Sequence, residues 1–283
     1  MIRATAGMMN RPLGITMDSV LTGMQLVLSP RKVVPSYAGN AMTVLRTNDN
    51  ATSDISFVGN DFDAASFDSF VTTNQAVVAN LYDQTGNGRH HGQTGTINRP
   101  VLKNGSGKIL VNGRQAMLFN GVTHSLISPN VINNPGDNGV VTMISVFRKS
   151  GNSFATLYNQ GTSGTYWNYG ICVDSGIFFR NTNNDWKYGG SNTVANGSLH
   201  CFVSISNGAS TQGYLNKVSL GTIAQGTSVT GGGTPFSEIG KRANSNDEYF
   251  SGEVIEQIVI ARAISAQERD FIETNIMTYY SIV

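Results

Sequence analysis

Short apolar runs with a two-residue period dominate the chain. They are rich in β-branched and aromatic residues and are bounded by Gly, Asn and Pro, which is the pattern of β-strands separated by turns. In segment 140–148 the alternation puts Val141, Met143 and Phe147 on one face, and the other face is also mostly apolar, as a central strand of a two-sheet sandwich requires. The predicted strands span 115–119, 140–148, 155–158, 166–173, 177–180, 199–206, 213–218 and 254–261.

A short internal helix is predicted in segment 63–71. Phe67, Phe70 and Val71 recur there at helical spacing and share one face. Asp63 stands just before them, and an aspartate at the N-cap accepts hydrogen bonds from the free backbone amides of the first turn. The segment therefore combines a helical start signal with one apolar face.

A longer helix is predicted at the C-terminal end. Ser265 and Glu268 have the spacing of a capping box, in which each side chain bonds the other residue's backbone amide. Apolar and aromatic residues then recur at helical spacing, namely Phe271, Ile272, Ile276, Tyr279 and Tyr280. We expect this helix to pack across the sandwich or against a neighbouring subunit.

Composition fits one glycine-rich β domain and excludes two classes of partner. The 283 residues include 32 glycines, and 40% are hydrophobic, 13% are charged and the formal net charge is +1. The 19 Lys and Arg residues are scattered, so the chain lacks the basic stripe that nucleic-acid binding needs. No apolar run approaches the roughly 18 residues of a membrane span. We assign residues 31–283 to one β-sandwich and residues 1–30 to an N-terminal docking segment.

Cysteines and histidines do not have the spacing of a transition-metal site. Cys172 and Cys201 each lie in an apolar run, which favours buried free thiols, although a disulfide between neighbouring strands stays open. His90 and His91 are adjacent, so their rings would point to opposite sides of a strand, and we expect both in a surface loop. No cofactor is expected.

The turn at 81–88, which reads L-Y-D-Q-T-G-N-G, suits a sugar ligand. Asp and Asn close local turns on the backbone, and Gly and Asn tolerate positive φ. A sugar ring could lie on Tyr82 while Asp83 and Asn87 bond its hydroxyls. The alternatives are a tight turn without a ligand, or a calcium ion held by oxygen donors in Gly-rich loops at Asp83, Asn87, Asp137 and Asn138.

Two tryptophans stand among polar residues. Trp167 lies in Y-W-N-Y and Trp186 in N-N-D-W-K-Y, close to Asn184. An exposed aromatic ring flanked by amides suits a pyranose, whereas an amphipathic Trp at the edge of the core would bond its N–H internally. The predicted ligand-binding residues are Tyr82, Asp83, Asn87, Trp167, Asn184, Trp186 and Arg242.

Several motifs resemble those of a known family. Residues 82–88 resemble the Y-D-Q-S-G-N-G signature of concanavalin-like domains in the α-L-arabinofuranosidase B catalytic family. Residues 36–46 are similar to its S-Y-S-G-x-x-x-x-V-x-R segment, and residues 250–256 resemble the F-x-G-x-I-x-E motif of laminin-G-like domains. The resemblance implies an all-β fold, a concanavalin-like jelly-roll β-sandwich, with the short internal helix and the C-terminal helix added. Bacterial and phage proteins carry many relatives of this family.

The resemblance also implies where catalytic carboxylates would stand. The family's nucleophile is a Glu that closes a Y-G-N-A-E-like turn, but residues 158–162 read Y-N-Q-G-T. The family's acid is an Asp that follows I-G-G, but residues 239–242 read I-G-K-R. A retaining glycosidase needs two carboxyls. Their absence at both positions favours a protein that is not an enzyme, unless Asp247 or Glu248 acts instead.

We therefore expect a phage virion surface protein, a tail fibre, spike or decoration component whose sandwich binds glycans without cleaving them and serves host attachment. Residues 1–12 have no apolar stretch of signal-peptide length, and virion proteins are made in the host cytoplasm. Residues 1–30 would contact other virion subunits, and the chain would form a homo-oligomer. The alternatives are a purely structural virion subunit without ligand and a glycoside hydrolase of arabinofuranosidase type.

Overall fold

Antiparallel strands make up most of the protein. The computed structural model describes residues 15–129, 140–151, 153–162, 167–182, 184–188, 194–224, 235–242 and 246–283. In chain order the strands are β1 (Met24–Leu28), β2 (Met42–Arg46), β3 (Thr52–Ile55), β4 (Phe57–Val58), β5 (Asp61–Phe62), β6 (Ala76–Leu81), β7 (His91–Gly92), β8 (Val101–Asn104), β9 (Gly107–Lys108), β10 (Leu110–Val111), β11 (Arg114–Gln115), β12 (Met117–Asn120), β13 (Leu126–Ser128), β14 (Val140–Lys149), β15 (Ala155–Thr162), β16 (Trp167–Val173), β17 (Ile177–Thr182), β18 (Asn184–Tyr188), β19 (Leu199–Asn207), β20 (Ser210–Leu215), β21 (Val218–Ala224), β22 (Pro235–Ile239) and β23 (Ser251–Ile260). The helices are α1 (Met17–Val20), α2 (Ala64–Val71) and α3 (Ala266–Tyr280), and Thr96–Asn98 form a 3₁₀ turn. Within the described ranges, no helix is long and apolar enough to cross a membrane.

The strands form two antiparallel sheets that pack face to face. In the inner sheet, β1 and β12 pair with β23, which is followed by β14, β19, β20 and β21. In the outer sheet the order is β3, β2, β6, β7, β13, β22, β15, β16, β17 and β18. Strand β8 pairs with both β6 and β12 and so joins the two sheets at one edge. The predicted all-β sandwich is confirmed.

Alternate residues of the central strand β14 face two different hydrophobic clusters. Met143 and Phe147 lie in the core between the sheets, together with Ile171 of the outer sheet. Ile144 points the other way, into a second cluster that includes Ile276 of α3. Segment 140–148 is therefore covered on both faces, as its two-sided apolar pattern predicted.

Both helices predicted from the sequence are present with their caps. Asp63 Oδ1 accepts the Ser66 amide at 3.0 Å at the start of α2. At the start of α3, Ser265 Oγ accepts the Glu268 amide at 3.2 Å, and Glu268 Oε2 accepts the Ser265 amide at 2.8 Å. Because Ile272 of α3 is buried in the second cluster, the helix covers the inner sheet of its own chain.

Two predicted strands are each divided between two shorter strands. The predicted strand 213–218 contains the turn between β20 and β21, where Asn216 and Lys217 have φ of 48° and 69°. The predicted strand 115–119 is divided between β11 and β12. The prediction of one continuous strand over 213–218 was wrong because the pattern continues through two residues whose backbone turns.

The predicted docking segment 1–30 includes a strand of the inner sheet. Met24–Leu28 pair with β23 along their length, and Leu26 and Val27 are buried. Residues 1–14 lie outside the described ranges. Docking by residues 1–30 stays a prediction.

Candidate functional site

The turn at residues 82–88 is closed by its own side chains. Asp83 is buried, and its Oδ1 accepts the amides of Val27 and Thr85, both at 3.1 Å. Its Oδ2 accepts Thr85 Oγ1 at 2.7 Å and the Arg89 amide at 3.2 Å. Each carboxylate oxygen thus already has two donors, which gives Asp83 a role in fixing the turn against β1.

The other two predicted ligand residues of this turn are more accessible. Tyr82 is half-buried, and its hydroxyl lies 2.9 Å from Thr43 Oγ1 and donates to Asp54 Oδ1 at 3.3 Å. Asn87 is exposed, and its Nδ2 donates to the Gln25 carbonyl at 3.3 Å. Sugar binding at Tyr82 and Asn87 stays a prediction.

The remaining predicted aromatic and calcium residues cannot be placed in a site. Trp167 lies on β16, and Asn184 and Trp186 lie on β18, but their side chains fall outside the described part of the molecule. Asp137 and Asn138, named for calcium, also lie outside the described ranges. In the part that is described, no group of three His, Cys, Asp or Glu side chains could hold a metal ion.

His91 is buried, so the prediction that it lies in a surface loop was wrong. It belongs to the two-residue strand β7, a length too short to leave a periodic signal. Its Nδ1–H donates to the Arg89 carbonyl at 3.0 Å, so its Nε2 accepts the Ser237 hydroxyl at 2.9 Å. Burial lowers the pKa of His91 to about 4, and the imidazole is neutral at pH 7. Cys172 and Cys201 are buried free thiols, as predicted.

A row of residues crosses the outward face of the outer sheet. Directly paired residues of antiparallel strands point to the same face. Ile127 of β13 pairs with Glu238 of β22, Glu238 pairs with Asn159 of β15, and Asn159 pairs with Gly170 of β16. Ile239, the neighbour of Glu238, belongs to the core between the sheets, so the Glu238 row points away from that core.

A second row holds another glutamate. Thr156 of β15 pairs with Cys172 of β16, which pairs with Phe178 of β17. Thr156 Oγ1 donates to Glu248 Oε2 at 2.8 Å, and the Thr156 amide donates to the Glu248 carbonyl at 2.9 Å. Because Gly170 and Cys172 are two residues apart on β16, the two rows are roughly 7 Å apart.

The loop after β22 brings charged groups to both rows. Lys241 Nζ lies 3.4 Å from Glu238 Oε1. Arg242 Nη1 lies 3.6 Å from Asp247 Oδ2 and 3.5 Å from Glu248 Oε1. We call these five residues the outer-face cluster. Arg242 is the predicted ligand residue that belongs to it, and three carboxyls and two cations meet there.

Glu238 is a buried carboxyl of the outer-face cluster with a strongly shifted pKa. It is only 2% exposed, and its Oε2 has no hydrogen-bond partner among the described residues. Burial raises the pKa of Glu238 to about 7, against the opposing effects of the Lys241 ammonium and the Ser125 hydroxyl. Near neutral pH the group therefore holds a proton about half of the time, which is the property of a general acid.

Backbone strain accompanies the loop of the outer-face cluster. Glu248 has φ of 53°, a left-handed conformation that costs a non-glycine residue on the order of 1 kcal/mol. Gly240 has φ of 86°, and a Cβ at this position would collide with the Phe119 ring. The close approach of the loop to the sheet requires glycine at position 240, and strained residues of this kind cluster at functional sites.

Comparison with known proteins identifies the family. A model of the alpha-L-arabinofuranosidase B catalytic family matches residues 28–215. The chain belongs to this family. No curated protein sequence matches it.

Solved arabinofuranosidases share the fold of this family member. An arabinofuranosidase complexed with arabinofuranosyl-α-1,2-xylobiose matches with a TM-score of 0.69 at 15% identity, covering 93% of this chain and 64% of that chain. A GH54 α-L-arabinofuranosidase soaked with a cyclic sulfate inhibitor gives a TM-score of 0.71 at 14% identity, covering 93% and 65%. The chain thus spans less than two thirds of the length of these arabinofuranosidases.

The fold places side by side the two segments that resemble the catalytic motifs of the arabinofuranosidase B family. Residues 158–162 lie on β15, and Tyr158 pairs directly with Ile239 of β22. Glu238 precedes the second segment and Glu248 follows it. Sequence reasoning had weighed Glu248 but missed Glu238. The only signal for Glu238 was an acidic residue inside a short apolar run.

Proposed function

We propose that the protein is a glycoside hydrolase of arabinofuranosidase type, with Glu238 as general acid and Glu248 as its partner carboxylate. The observation that carries the proposal is that Glu238 lies in one row of the outward face while Glu248 bonds Thr156 of the next row, and the two rows are roughly 7 Å apart where they cross β16. Glycosidases place their two carboxyls about 5 to 9.5 Å apart. Family membership supports an α-L-arabinofuranoside as the substrate class.

In the proposed reaction the proton of Glu238 passes to the glycosidic oxygen, and the bond between that oxygen and the anomeric carbon breaks. In one route Glu248 attacks the anomeric carbon, and a water that gives its proton to Glu238 then cleaves the resulting glycosyl ester. In the other route Glu248 takes a proton from the water that attacks the anomeric carbon. Arg242 orients Glu248 through its contact at 3.5 Å. The configuration of the released sugar, read by NMR, distinguishes these two routes.

Hydrolysis of 4-nitrophenyl α-L-arabinofuranoside tests the proposal. We expect turnover by the wild type and a loss of about 100-fold or more in kcat for Glu238→Gln and for Glu248→Gln, because acid–base groups contribute at least this much. Asp270→Asn is the matched control, since Asp270 is an exposed carboxylate on α3 that pairs with Lys217 at 2.8 Å. A folded wild type without turnover, or Gln variants as active as the control, would contradict the proposal.

The pH dependence of kcat/KM is a second test. Because Glu238 must be protonated to act as the acid, we expect kcat/KM to fall as the pH rises through about 7. The Lys241 ammonium lies 3.4 Å from the Glu238 carboxylate and lowers the pKa of that group. The Lys241→Met variant removes this cation, so the descending limb of the pH profile is expected to move to higher pH. An unchanged limb in this variant would show that another group titrates.

The second candidate function is glycan binding without turnover by a concanavalin-like virion surface protein. It is favoured by Thr162 and Arg242, which stand where the resemblance places the family's carboxylates. In this proposal residues 1–30 dock the protein to a phage particle, and the chain forms a homo-oligomer. Binding of the wild type to a glycan array, lost in Trp186→Ala and accompanied by no hydrolysis, would support this function over the first.

A further inference from the structure

A β-bulge interrupts strand β15 at Leu157. Thr156 pairs with Cys172 of β16, and Tyr158 pairs with the neighbouring residue of that strand, so β15 carries one extra residue at this point. Leu157 and Tyr158 are consecutive, yet both belong to the core between the sheets. Regular alternation from Tyr158 would turn Thr156 toward the same core. The bulge therefore places Thr156 on the outward face.

The bulge also anchors the loop of the outer-face cluster. At the start of this loop, the Gly240 amide donates to the Leu157 carbonyl at 3.0 Å. Thr156 holds Glu248 at two points, because its amide donates to the Glu248 carbonyl at 2.9 Å and its hydroxyl donates to Glu248 Oε2 at 2.8 Å. Thr156 is fully buried and β-branched, which restricts its χ1 and fixes the hydroxyl. A rigid residue of the sheet thus fixes both the backbone and the carboxylate of Glu248.

The Cys172 thiol directs the Thr156 hydroxyl toward Glu248. Cys172 Sγ lies 3.5 Å from Thr156 Oγ1, and both residues are fully buried. The hydroxyl has one proton and gives it to Glu248 Oε2, so the thiol is the donor in its contact with Thr156. The chain of hydrogen bonds therefore ends on the Glu248 carboxylate.

We propose that Thr156 is a positioning residue, which fixes the Glu248 carboxylate relative to Glu238 for the reaction. In this role Thr156 touches no reacting atom and acts only through Glu248. Arg242 contacts the other carboxylate oxygen at 3.5 Å, a longer contact than the 2.8 Å bond from the Thr156 hydroxyl. The proposal rests on the proposed function for the part that Glu248 plays.

Hydrolysis of 4-nitrophenyl α-L-arabinofuranoside by variants at position 156 tests the role. Thr156→Val removes the hydroxyl but keeps the β-branched shape and the backbone amide. We expect kcat to fall by roughly 10- to 100-fold with KM nearly unchanged, because misplacing a reacting group by about 1 Å costs up to about 100-fold. Thr156→Ser keeps the hydroxyl and is expected to retain most of the wild-type kcat. If Thr156→Val does not fold, Thr156→Cys, which keeps only a weak donor, is compared with Thr156→Ser instead.

The matched control is Thr142→Val on the inner sheet. Thr142 is also fully buried, and its hydroxyl donates to the Arg262 carbonyl at 2.8 Å. Its loss should lower the free energy of unfolding and leave kcat unchanged. A second arm adds Thr156→Val to Glu248→Gln. Because Thr156 acts through Glu248, the double variant is expected to be no slower than Glu248→Gln alone.

The outcomes separate this proposal from the proposed function. Three results would overturn the positioning role: Thr156→Val as active as the Thr142→Val control, Thr156→Ser as impaired as Thr156→Val, or losses that multiply in the double variant. Each of them would leave the proposed function standing as long as turnover depends on Glu248. A folded wild type without turnover would overturn both proposals.

Discussion

The pKa values of two buried groups, on strands β7 and β22 to either side of β13, shift in opposite directions. Burial raises the pKa of Glu238 to about 7 and lowers the pKa of His91 to about 4. His91 Nε2 accepts the hydroxyl of Ser237, the residue next to Glu238. Both shifts favour the neutral form because desolvation penalises charge whatever its sign. Folding therefore determines the protonation of these groups, and Glu238 becomes suited to donate a proton near neutral pH.

The Glu238→Gln variant is expected to be more stable than the wild type at pH 8 and nearly as stable at pH 4.5. The folded-state pKa of about 7 lies above the ordinary value of 4.5, so the folded protein binds more protons in this window and its free energy of unfolding falls as the pH rises. Glutamine does not titrate, so the difference in the free energy of unfolding between the variant and the wild type grows by about 3 kcal/mol from pH 4.5 to pH 8. Urea unfolding at both pH values measures the change. A difference that does not depend on pH would refute the raised pKa.

The capping box of α3 is reinforced by an ion pair from the preceding segment. Arg262 Nη2 lies 2.6 Å from Glu268 Oε1, while Glu268 Oε2 accepts the Ser265 amide. The Arg262 hydrogen bond is the largest cause that holds the pKa of Glu268 at about 2, so the cap stays charged throughout the neutral range. The start of the helix is thus fixed where Ile264 enters the second hydrophobic cluster.

The Ser265→Ala variant is expected to lower the free energy of unfolding by about 1 kcal/mol, because the Glu268 amide loses its acceptor at the helix start. Thermal or urea unfolding measures the loss. The matched control is Thr278→Ala, an exposed position near the end of the same helix, where alanine has the better helix propensity and no loss is expected. Equal losses in both variants would contradict a specific role of the cap.

A buried ion pair ties three distant parts of the chain together. Arg31, just after β1, contacts Glu256 of β23 with Nε–Oε2 at 2.7 Å and Nη2–Oε1 at 3.0 Å. Glu256 also accepts the hydroxyls of Ser29 at 3.0 Å and Tyr280 at 3.1 Å, and Arg31 donates to Asn275 Oδ1 at 2.8 Å. The network therefore fixes α3 on the inner sheet.

The Arg31→Met variant is expected to lower the free energy of unfolding by about 3 to 5 kcal/mol, because Glu256 is left buried without its cation. Adding Glu256→Leu to Arg31→Met should recover most of the lost free energy of unfolding, since the ion pair is then replaced by apolar groups. The control Lys108→Met removes a partly exposed pair with Asp68 and should cost less than about 1 kcal/mol. Urea unfolding measures all three, and a double variant as unstable as Arg31→Met would contradict this account.

The features predicted correctly from the sequence are those that depend on residues close together in the chain. The capping box at Ser265 and the alternating faces of segment 140–148 depend on residues close together in the chain, and both were found in the structure. The prediction of a strand over 213–218 failed because the residue pattern there does not show that the backbone turns at Asn216. His91 was misplaced because a two-residue strand is too short to carry a periodicity.

Residue patterns along the chain were enough to predict the all-β class, the two capped helices and, through short motifs, the family. These properties follow from residue period, cap chemistry and short signatures, which are all contained in a few consecutive residues. Which polar residues lie on the same surface depends instead on how distant strands pair. Glu238 reaches the face of Thr156 and Glu248 through the register of β22 on β15, and a shift by one residue would turn it into the core. Such a register is set by packing between distant strands, which no short stretch of sequence contains.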